Sequence, residues 1–488
     1  MAVVVAVDAG TTGVRAVAVD GDGGVAGWAY RELAQHYPRP GWVEHDPDEI
    51  WAAVRATLHE LNEALAGAGG AVAAIGVTNQ RETVVAWDRR TGRPLHNAVV
   101  WQDRRTAAVC DGLREAGHLP LVRRTTGLVL DPYFSATKMA WLLGDGGVEV
   151  SADLALGTVD SWVIWNLTGG AYVTDPSNAS RTLLYDIGAR RWSEELGDLF
   201  GVPLRHLPEV RPSAGRLGTT STGVPVSGVA GDQQAALFAQ ACLSPGMTKA
   251  TYGTGTFVLM NVGATCPEPV DGLLTSVAWE LGDASVAYAL EGAVFATGAA
   301  VQWLRDGLGI IDTAADVQAL AASVPDSGGV VVVPAFAGLG SPWWDAGARG
   351  AVVGLTKGTG RAQLARAVLE SIAFQTRDVT DAMASAAGRP VAELRVDGGA
   401  AADDLLLQLV ADQCGVAVAR PCVTETTALG AAFLAGLAEG VWGSTEEVAR
   451  AWAEERTFRP EVTPGEAAQP HQTWLRAVER SLSWAGPP

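Results

Sequence analysis

Several short stretches of the 488-residue chain carry more polar chemistry than chain reversal requires. The first is DAGTTG, Asp8 to Gly13, set between the apolar runs VVVAV and VRAVAV. A plain hairpin often turns on Asn-Gly or Asp-Gly alone. Here an acid (Asp8), two hydroxyls (Thr11, Thr12) and two glycines (Gly10, Gly13) share the turn. Small residues let backbone N–H groups approach an anion, and threonine hydroxyls add donors, so the stretch reads as a phosphate cradle. An acid at the end of the first strand could hold a metal through water. Ordinary turn and strand-end preferences account for the same glycines and threonines without a ligand. No Gly-Lys-Ser/Thr follows, so this is not a Walker A loop. GxGxxG is absent and a strand comes next, so it is not a dinucleotide fingerprint either.

Other constellations are as compact. In VTNQRETVVAWD, Arg81 and Glu82 stand side by side at a strand end with apolar flanks. Facing a cleft, they can donate to and accept from adjacent hydroxyls, as polyol recognition requires; facing water, they are a solvated pair. Trp101, in VVWQDRRT, could wall the carbon side of a small polyol or belong to the core. Asp232, in GVAGDQQAALFAQ, is followed by Gln233 and a helical run. Taken alone it suits a helix cap; in a cleft it could take the proton from an attacking alcohol. Gly398 and Gly399, between the strand ELRVD and the run DDLLLQLVADQCG, leave room for a flat ring or a phosphate beside the backbone, with Asp403 or Asp404 opening the helix.

The elements that must position these groups alternate between strand-like and helix-like, the pattern of an α/β protein. HDPDEIWAAVRATLHELNEAL predicts a helix capped by Asp46, with Pro47 in its first turn and Ile50, Val54, Leu58 and Leu61 on one face. A second helix is expected from about Arg361, where Leu364, Val368 and Ile372 recur at helical spacing. GMTKATYGTGTFVLMNVG, Gly246 to Gly263, repeats the opening design of strand, Gly-Thr turn and strand. The repeat predicts two related domains, each offering a phosphate-facing hairpin to a shared cleft, with the boundary near residues 240–246. The formal net charge of −19 argues against a nucleic-acid partner. Five cysteines without a CxxC pair fit a reducing compartment. Seven histidines lack metal-ligand spacing. No apolar run has the length of a membrane span and the N-terminus lacks a basic leader region, so a cytoplasmic location is expected.

Taken together and in order, these stretches resemble the FGGY carbohydrate kinases from about Val4 to about Phe458. TGLVLDPYFSATKMAWLL, GTVDSWVIWNLTGG, TDPSNASRTLLYD, GAAVQWLRDGLGII, GAVVGLTKGTGRAQLARAVLE and TALGAAFLAGLAEGVW carry the resemblance alongside the motifs above. NQRET, WQDRR and GDQQ point to glycerol as the acceptor. The resemblance implies two actin-like (ribonuclease H-like) domains flanking a nucleotide cleft, residues 1–243 with the acceptor site, phosphate hairpin and base, and 244–488 with the nucleotide. It implies ATP and Mg²⁺. Thr11, Thr12 and Gly13 would meet the phosphates with Arg15 nearby, and Asp8 and Asp232 would face the metal. Arg81, Glu82, Tyr133, Asp232 and Gln233 would bind the glycerol hydroxyls, while Trp101 and Phe257 would pack against its carbons. Thr254, Gly298, Gln302 and Gly399 would contact the nucleotide from the second domain, and Asp232 would be the catalytic base. A homodimer or homotetramer is the expected assembly.

The chain departs from the family pattern in places. Asp403 stands where glycerol-specific members usually carry an asparagine near the adenosine, and Gly13 where a serine is common. Bacterial members inhibited by fructose 1,6-bisphosphate grip it with an arginine whose place is taken here by Gly223, with Arg216 several residues upstream. Others are activated by phosphorylation of a loop histidine, and no histidine lies between His206 and Asp232. A kinase for another small polyol or sugar, and a non-catalytic actin-like nucleotide sensor, are the alternative readings.

Overall fold

The computed structural model describes residues 2–67 and 70–485. The strand Ala2–Ala9 is valine and alanine at almost every position and is buried along most of its length, as a strand covered on both faces must be. It pairs antiparallel with Gly13–Val19 and parallel with Ala71–Asn79. The sheet has six strands, in the order 214–219, 225–231, 71–79, 2–9, 13–19, 25–32.

The expected repeat is present as a second sheet. Met247–Tyr252 pairs antiparallel with Thr256–Gly263 and parallel with Glu393–Asp397. Val286–Val294 and Val418–Pro421 extend this sheet with the same directions as their counterparts in the first. In each sheet the Gly-Thr turn follows the carboxyl end of the central strand.

The helix expected after Asp46 runs Pro47–Gly67, and Asp46 Oδ1 accepts the Asp48 backbone N–H at 2.8 Å. Ile50, Val54 and Leu61 are buried against the first sheet, with Leu58 packed on the same cluster. The second expected helix is Arg361–Ala387, which buries Val368 and Ile372 in the core of the second lobe.

Two features position the site and have no local signature. Val84–Asp88, the strand after the Arg81–Glu82 turn, leaves the main sheet and joins a separate four-stranded sheet with 44–45, 98–99 and 154–158. The turn is thus pinned at both ends. The helix Thr426–Ala438, late in the chain, packs on strands 71–79 and 225–231 of the first sheet and on helix Asp232–Ala239. Glycine permits that approach: a Cβ at Gly76 would overlap the Ala431 carbonyl, and one at Gly430 the Ala235 carbonyl.

Candidate active site

One cavity opens between the lobes, and a second lies beside it within the second lobe. The first, of about 600 Å³, is lined by Thr11, Thr12, Trp101, Tyr133, Gln233 and Phe257 among others. The second, of about 570 Å³, is lined by Gly298, Gln302, Gly399 and Asp403. Gly253 and Thr254, in the second Gly-Thr turn, line both. Trp101, Tyr133, Gln233 and Phe257 thus fall on one side of this turn together with Thr11 and Thr12 of the phosphate hairpin, and Gly298, Gln302, Gly399 and Asp403 on the other; Arg81, Glu82 and Asp232 line neither cavity.

The first Gly-Thr turn is tied to the acceptor-side wall. The Trp101 indole N–H donates to Thr11 Oγ1 at 2.9 Å, and its ring meets Tyr133 edge-on at 5.4 Å. Gly13 is buried, and a Cβ there would overlap the Tyr30 hydroxyl and the Arg31 carbonyl. The phenol of Tyr30 therefore fills the volume of a residue-13 side chain, and its hydroxyl donates to the Thr12 carbonyl at 3.3 Å. Gly13→Ser consequently displaces Tyr30 instead of adding a useful hydroxyl. The expected cost is about 1–3 kcal/mol of overpacking together with a raised KM for ATP. Denaturation midpoints and nucleotide titrations check this, and a stable variant with unchanged KM would show that the turn has slack. Arg15, on the next strand, pairs with Glu425 at the start of helix Thr426–Ala438.

Arg81 and Glu82 are buried, each side chain about 2% exposed, and they contact Glu291 and Arg181, which line the first cavity. Arg81 Nη1 donates to both carboxylate oxygens of Glu291 at 2.9 and 3.1 Å and to Gln234 Oε1 at 3.2 Å. Arg181 Nε donates to Glu82 Oε1 at 2.6 Å, and Arg181 Nη1 lies 3.1 Å from Glu291. Ser276 and Gln234 donate to Glu291 as well. Burial pushes the Glu291 carboxyl up, but the Arg181 and Arg81 guanidiniums outweigh it and hold it down at about 2. The protein bonds of this pair run from Arg81 Nη1 and to Glu82 Oε1, so Nη2 and Oε2 have no hydrogen-bond partner among the described residues. Glu82 adopts φ 64°, a left-handed backbone that costs a non-glycine residue energy. Such strain at a polar residue in contact with a cavity wall is where a ligand-binding role is expected.

Asp232 opens the helix Asp232–Ala239, with Gly231 in the cap position. Its Oδ1 accepts the Gln233 backbone N–H at 2.7 Å and lies 3.2 Å from Arg81 Nε, and the side chain is 32% exposed. Asp232 is thus the first residue of the helix and not its cap, and a partly exposed carboxylate next to Gln233, which lines the first cavity. Burial and the nearby Asp232 charge push the Asp8 carboxyl up to about 7. A pair of like charges of this kind is what a divalent cation relieves. Among the described residues there is no group of three or more metal-ligating side chains. Two mutually repelling carboxylates suit Mg²⁺, which keeps several waters and needs few protein ligands.

On the nucleotide side, Gly298 follows Thr297 at the start of a short helix, and its N–H is held by the Gly253 carbonyl at 3.0 Å. Gln302 is exposed to the cavity. Asp403 caps the helix Asp404–Cys414, its Oδ1 accepting from Leu406 N at 2.9 Å, while Oδ2 is buried without a partner. Burial raises its pKa. Asp404 instead pairs with Arg420 and Arg456.

Sequence reasoning did not single out Arg181, Gln234, Lys249, Glu291 or Glu425. Glu291 and Lys249 had a signal: a charge within an apolar strand, in AYALEGAV and MTKATY. Arg181 and Glu425 stand in polar stretches where a charge is unremarkable.

The duplicated sheets, paired turns and interlobe cleft define the actin-like (ribonuclease H-like) two-lobed fold of phosphoryl-transfer enzymes. Residues 3–239 match the N-terminal domain of the FGGY family of carbohydrate kinases and residues 248–439 its C-terminal domain. The chain belongs to that family. It is 54% identical to a glycerol kinase of Halorhodospira halophila over 492 residues, covering 99% of this chain and 97% of that one. It is 55% identical to a glycerol kinase of Trichlorobacter lovleyi over 500 residues, covering all of both. Among solved structures, a Plasmodium falciparum glycerol kinase with ADP superposes with a TM-score of 0.93 at 32% identity, covering 99% of this chain and 98% of that one. A xylulose kinase of Lactobacillus acidophilus shares the fold, with a TM-score of 0.88 at 23% identity over 98% of each chain.

Proposed function

We infer that this protein transfers the γ-phosphoryl group of ATP to a terminal hydroxyl of glycerol, giving sn-glycerol 3-phosphate. This is glycerol kinase activity, ATP:glycerol 3-phosphotransferase. The observation that carries the reading is the meeting of the two cavities at Gly253 and Thr254, with Thr11 on the wall of the first. A phosphoryl group entering from the nucleotide side arrives at the acceptor. The full-length likeness to glycerol kinases supports the choice of acceptor.

In this mechanism Arg81 Nη2 donates to one glycerol hydroxyl and Glu82 Oε2 accepts from another. Tyr133 and Gln233 complete the polar contacts, and Trp101 and Phe257 cover the carbon chain. Asp232 takes the proton of the attacking hydroxyl. Thr11, Thr12, the Gly13 N–H and Arg15 receive the phosphates from one lobe and Thr254 from the other, while Gly298, Gln302, Gly399 and Asp403 hold the nucleoside end. Asp8 and Asp232 would hold Mg²⁺, which would supply charge neutralisation on the phosphate oxygens. Lobe closure excludes water, which is itself a competing acceptor. We place the boundary between the N-terminal acceptor domain, 1–243, and the C-terminal nucleotide domain, 244–488, at the segment joining helix Asp232–Ala239 to strand Met247–Tyr252. The five cysteines are free, which supports a reducing, cytoplasmic setting, and no helix among the described residues is long and apolar enough to cross a membrane. A homodimer or homotetramer is the assembly we propose.

ADP release measured across glycerol, other polyols and pentoses tests the acceptor assignment. Glycerol is expected to give the highest kcat/KM, and a pentose or pentitol exceeding it would overturn the reading.

Regulation by fructose 1,6-bisphosphate is expected to be absent. The turn at Gly223, with φ 87°, presents no cationic side chain, and Arg216 is already paired with Glu439. Initial rates at saturating glycerol should stay flat as the bisphosphate rises. Saturable inhibition that disappears when residues 216–223 are changed would show that the loop still binds phosphate.

A further inference from the structure

Lys249 is a fully buried ammonium-bearing side chain that the mechanism above leaves without a task. It sits on the strand Met247–Tyr252 of the second lobe, the strand that leads into the Gly253–Thr254 turn shared by both cavities. Its Nζ donates to the side-chain amide oxygen of Gln233 and, at 2.8 Å, to Thr251 Oγ1. Gln233 belongs to helix Asp232–Ala239 of the first lobe and, with Thr251, lines the first cavity. The contact therefore crosses between lobes.

An ammonium has three donors and no acceptor. The amide oxygen of Gln233 must face it, and the amide NH₂ must then point away. A neutral residue at 249 would leave the amide free to turn, and half of its orientations would set a carbonyl where a donor is needed. Burial pulls the Lys249 ammonium down to about 8, opposed by the carboxylates of Asp397 and Asp232. Burying a charge in this way is costly unless it is paired, and a purely structural strand position would be filled more cheaply by an apolar side chain.

We propose that Lys249 is a positioning residue for phosphoryl transfer: reaching across from the nucleotide-side lobe, it locks the Gln233 amide with its NH₂ directed to the acceptor hydroxyl. The proposal rests on the reading of Gln233 as an acceptor ligand. Because the lock comes from the opposite lobe, Gln233 is a competent donor only when the two lobes are in register.

The test is a double-mutant cycle on the full chain, with Lys249→Met, Gln233→Ala and the double variant assayed with glycerol at saturating ATP. Each single change is expected to raise the glycerol KM by about tenfold, with the KM for ATP within about twofold of wild type. The double variant is expected to match Gln233→Ala within about twofold, since a lysine acting only through Gln233 has nothing left to position. Lys249→Arg, which retains donors, is expected to recover part of the loss. Should Lys249→Met fail to fold, Lys249→Gln enters the same cycle, keeping a donor without the charge. Effects that multiply in the double variant, or a kcat loss with unchanged glycerol KM, would overturn the proposal and leave the acceptor reading standing. An unchanged KM in Gln233→Ala would overturn the acceptor role of Gln233 and the proposal with it, while absence of glycerol turnover by the wild type would remove the activity itself.

Discussion

Asp232→Asn is expected to lower kcat by about a hundredfold or more while the glycerol KM stays within about tenfold of wild type. The substitution keeps size and shape. An asparagine oxygen can still accept the Gln233 backbone N–H and face Arg81 Nε, the contacts Asp232 makes at 2.7 and 3.2 Å, so the helix start and the site floor are retained. What is lost is the ability to take a proton. Asp232 is also a partly exposed carboxylate, whereas Glu82 and Glu291 are almost wholly buried and paired with arginines. Neither can replace it without breaking an ion pair. Steady-state kinetics of the purified variant, with calorimetric binding of glycerol, separate the two effects. Turnover within a few-fold of wild type would remove Asp232 from the proton transfer and leave it as a helix-start residue.

Arg81→Ala is expected to cost both folding stability and glycerol affinity. From the sequence, the pair Arg81–Glu82 is a hydroxyl-binding set, and losing its arginine should act chiefly through KM, by about 1–3 kcal/mol. The structure enlarges the expected effect. Arg81 is one of the two cations that neutralise Glu291, and it also contacts Glu82, Gln234 and Asp232. Removing one member of a buried ion network leaves charge uncompensated, at about 3–5 kcal/mol. Arg181 remains near Glu82 and Glu291, so the network is weakened and not abolished. Arg81→Lys should fall between, because an ammonium keeps the charge but lacks the planar fork that sets Nη1 on Glu291 and Gln234 while Nε faces Asp232. Denaturation midpoints of wild type and both variants, read beside glycerol KM, give the partition. A midpoint near wild type together with unchanged KM would mean that Arg181 alone carries the network and that Arg81 has no ligand.

The local elements of the site were legible because their physics is local. The apolar run at Ala2–Ala9, the Gly-Thr turn after it and its echo at residues 252–257 need only strand burial and turn chemistry to be read. The stripe Ile50–Val54–Leu61 with Asp46 at its head fixes a helix in the same way. Family-level motifs brought Asp232, Tyr133, Gln233 and Thr254 forward as candidates, and the fold brings the last three to the cavity walls.

What the sequence by itself determined was thus the alternating α/β pattern, the duplicated hairpin and the types of residue available for phosphate and hydroxyl chemistry. What only the tertiary structure decided was which charges face one another. Arg81 meets Glu291 from 210 residues away and Glu82 meets Arg181 from 99. Periodicity reports that a position is buried; it does not report which opposite charge closes over it, since that depends on how two sheets formed by distant segments are set against each other. The seating of helix Thr426–Ala438 on the first sheet is decided in the same way, by backbone contact at Gly76 and Gly430. Glycine in a sequence records freedom to approach without saying what approaches. The Lys249–Gln233 contact joins residues only 16 apart in the chain but on opposite lobes, so even a short separation was no guide once the chain crossed the cleft between them.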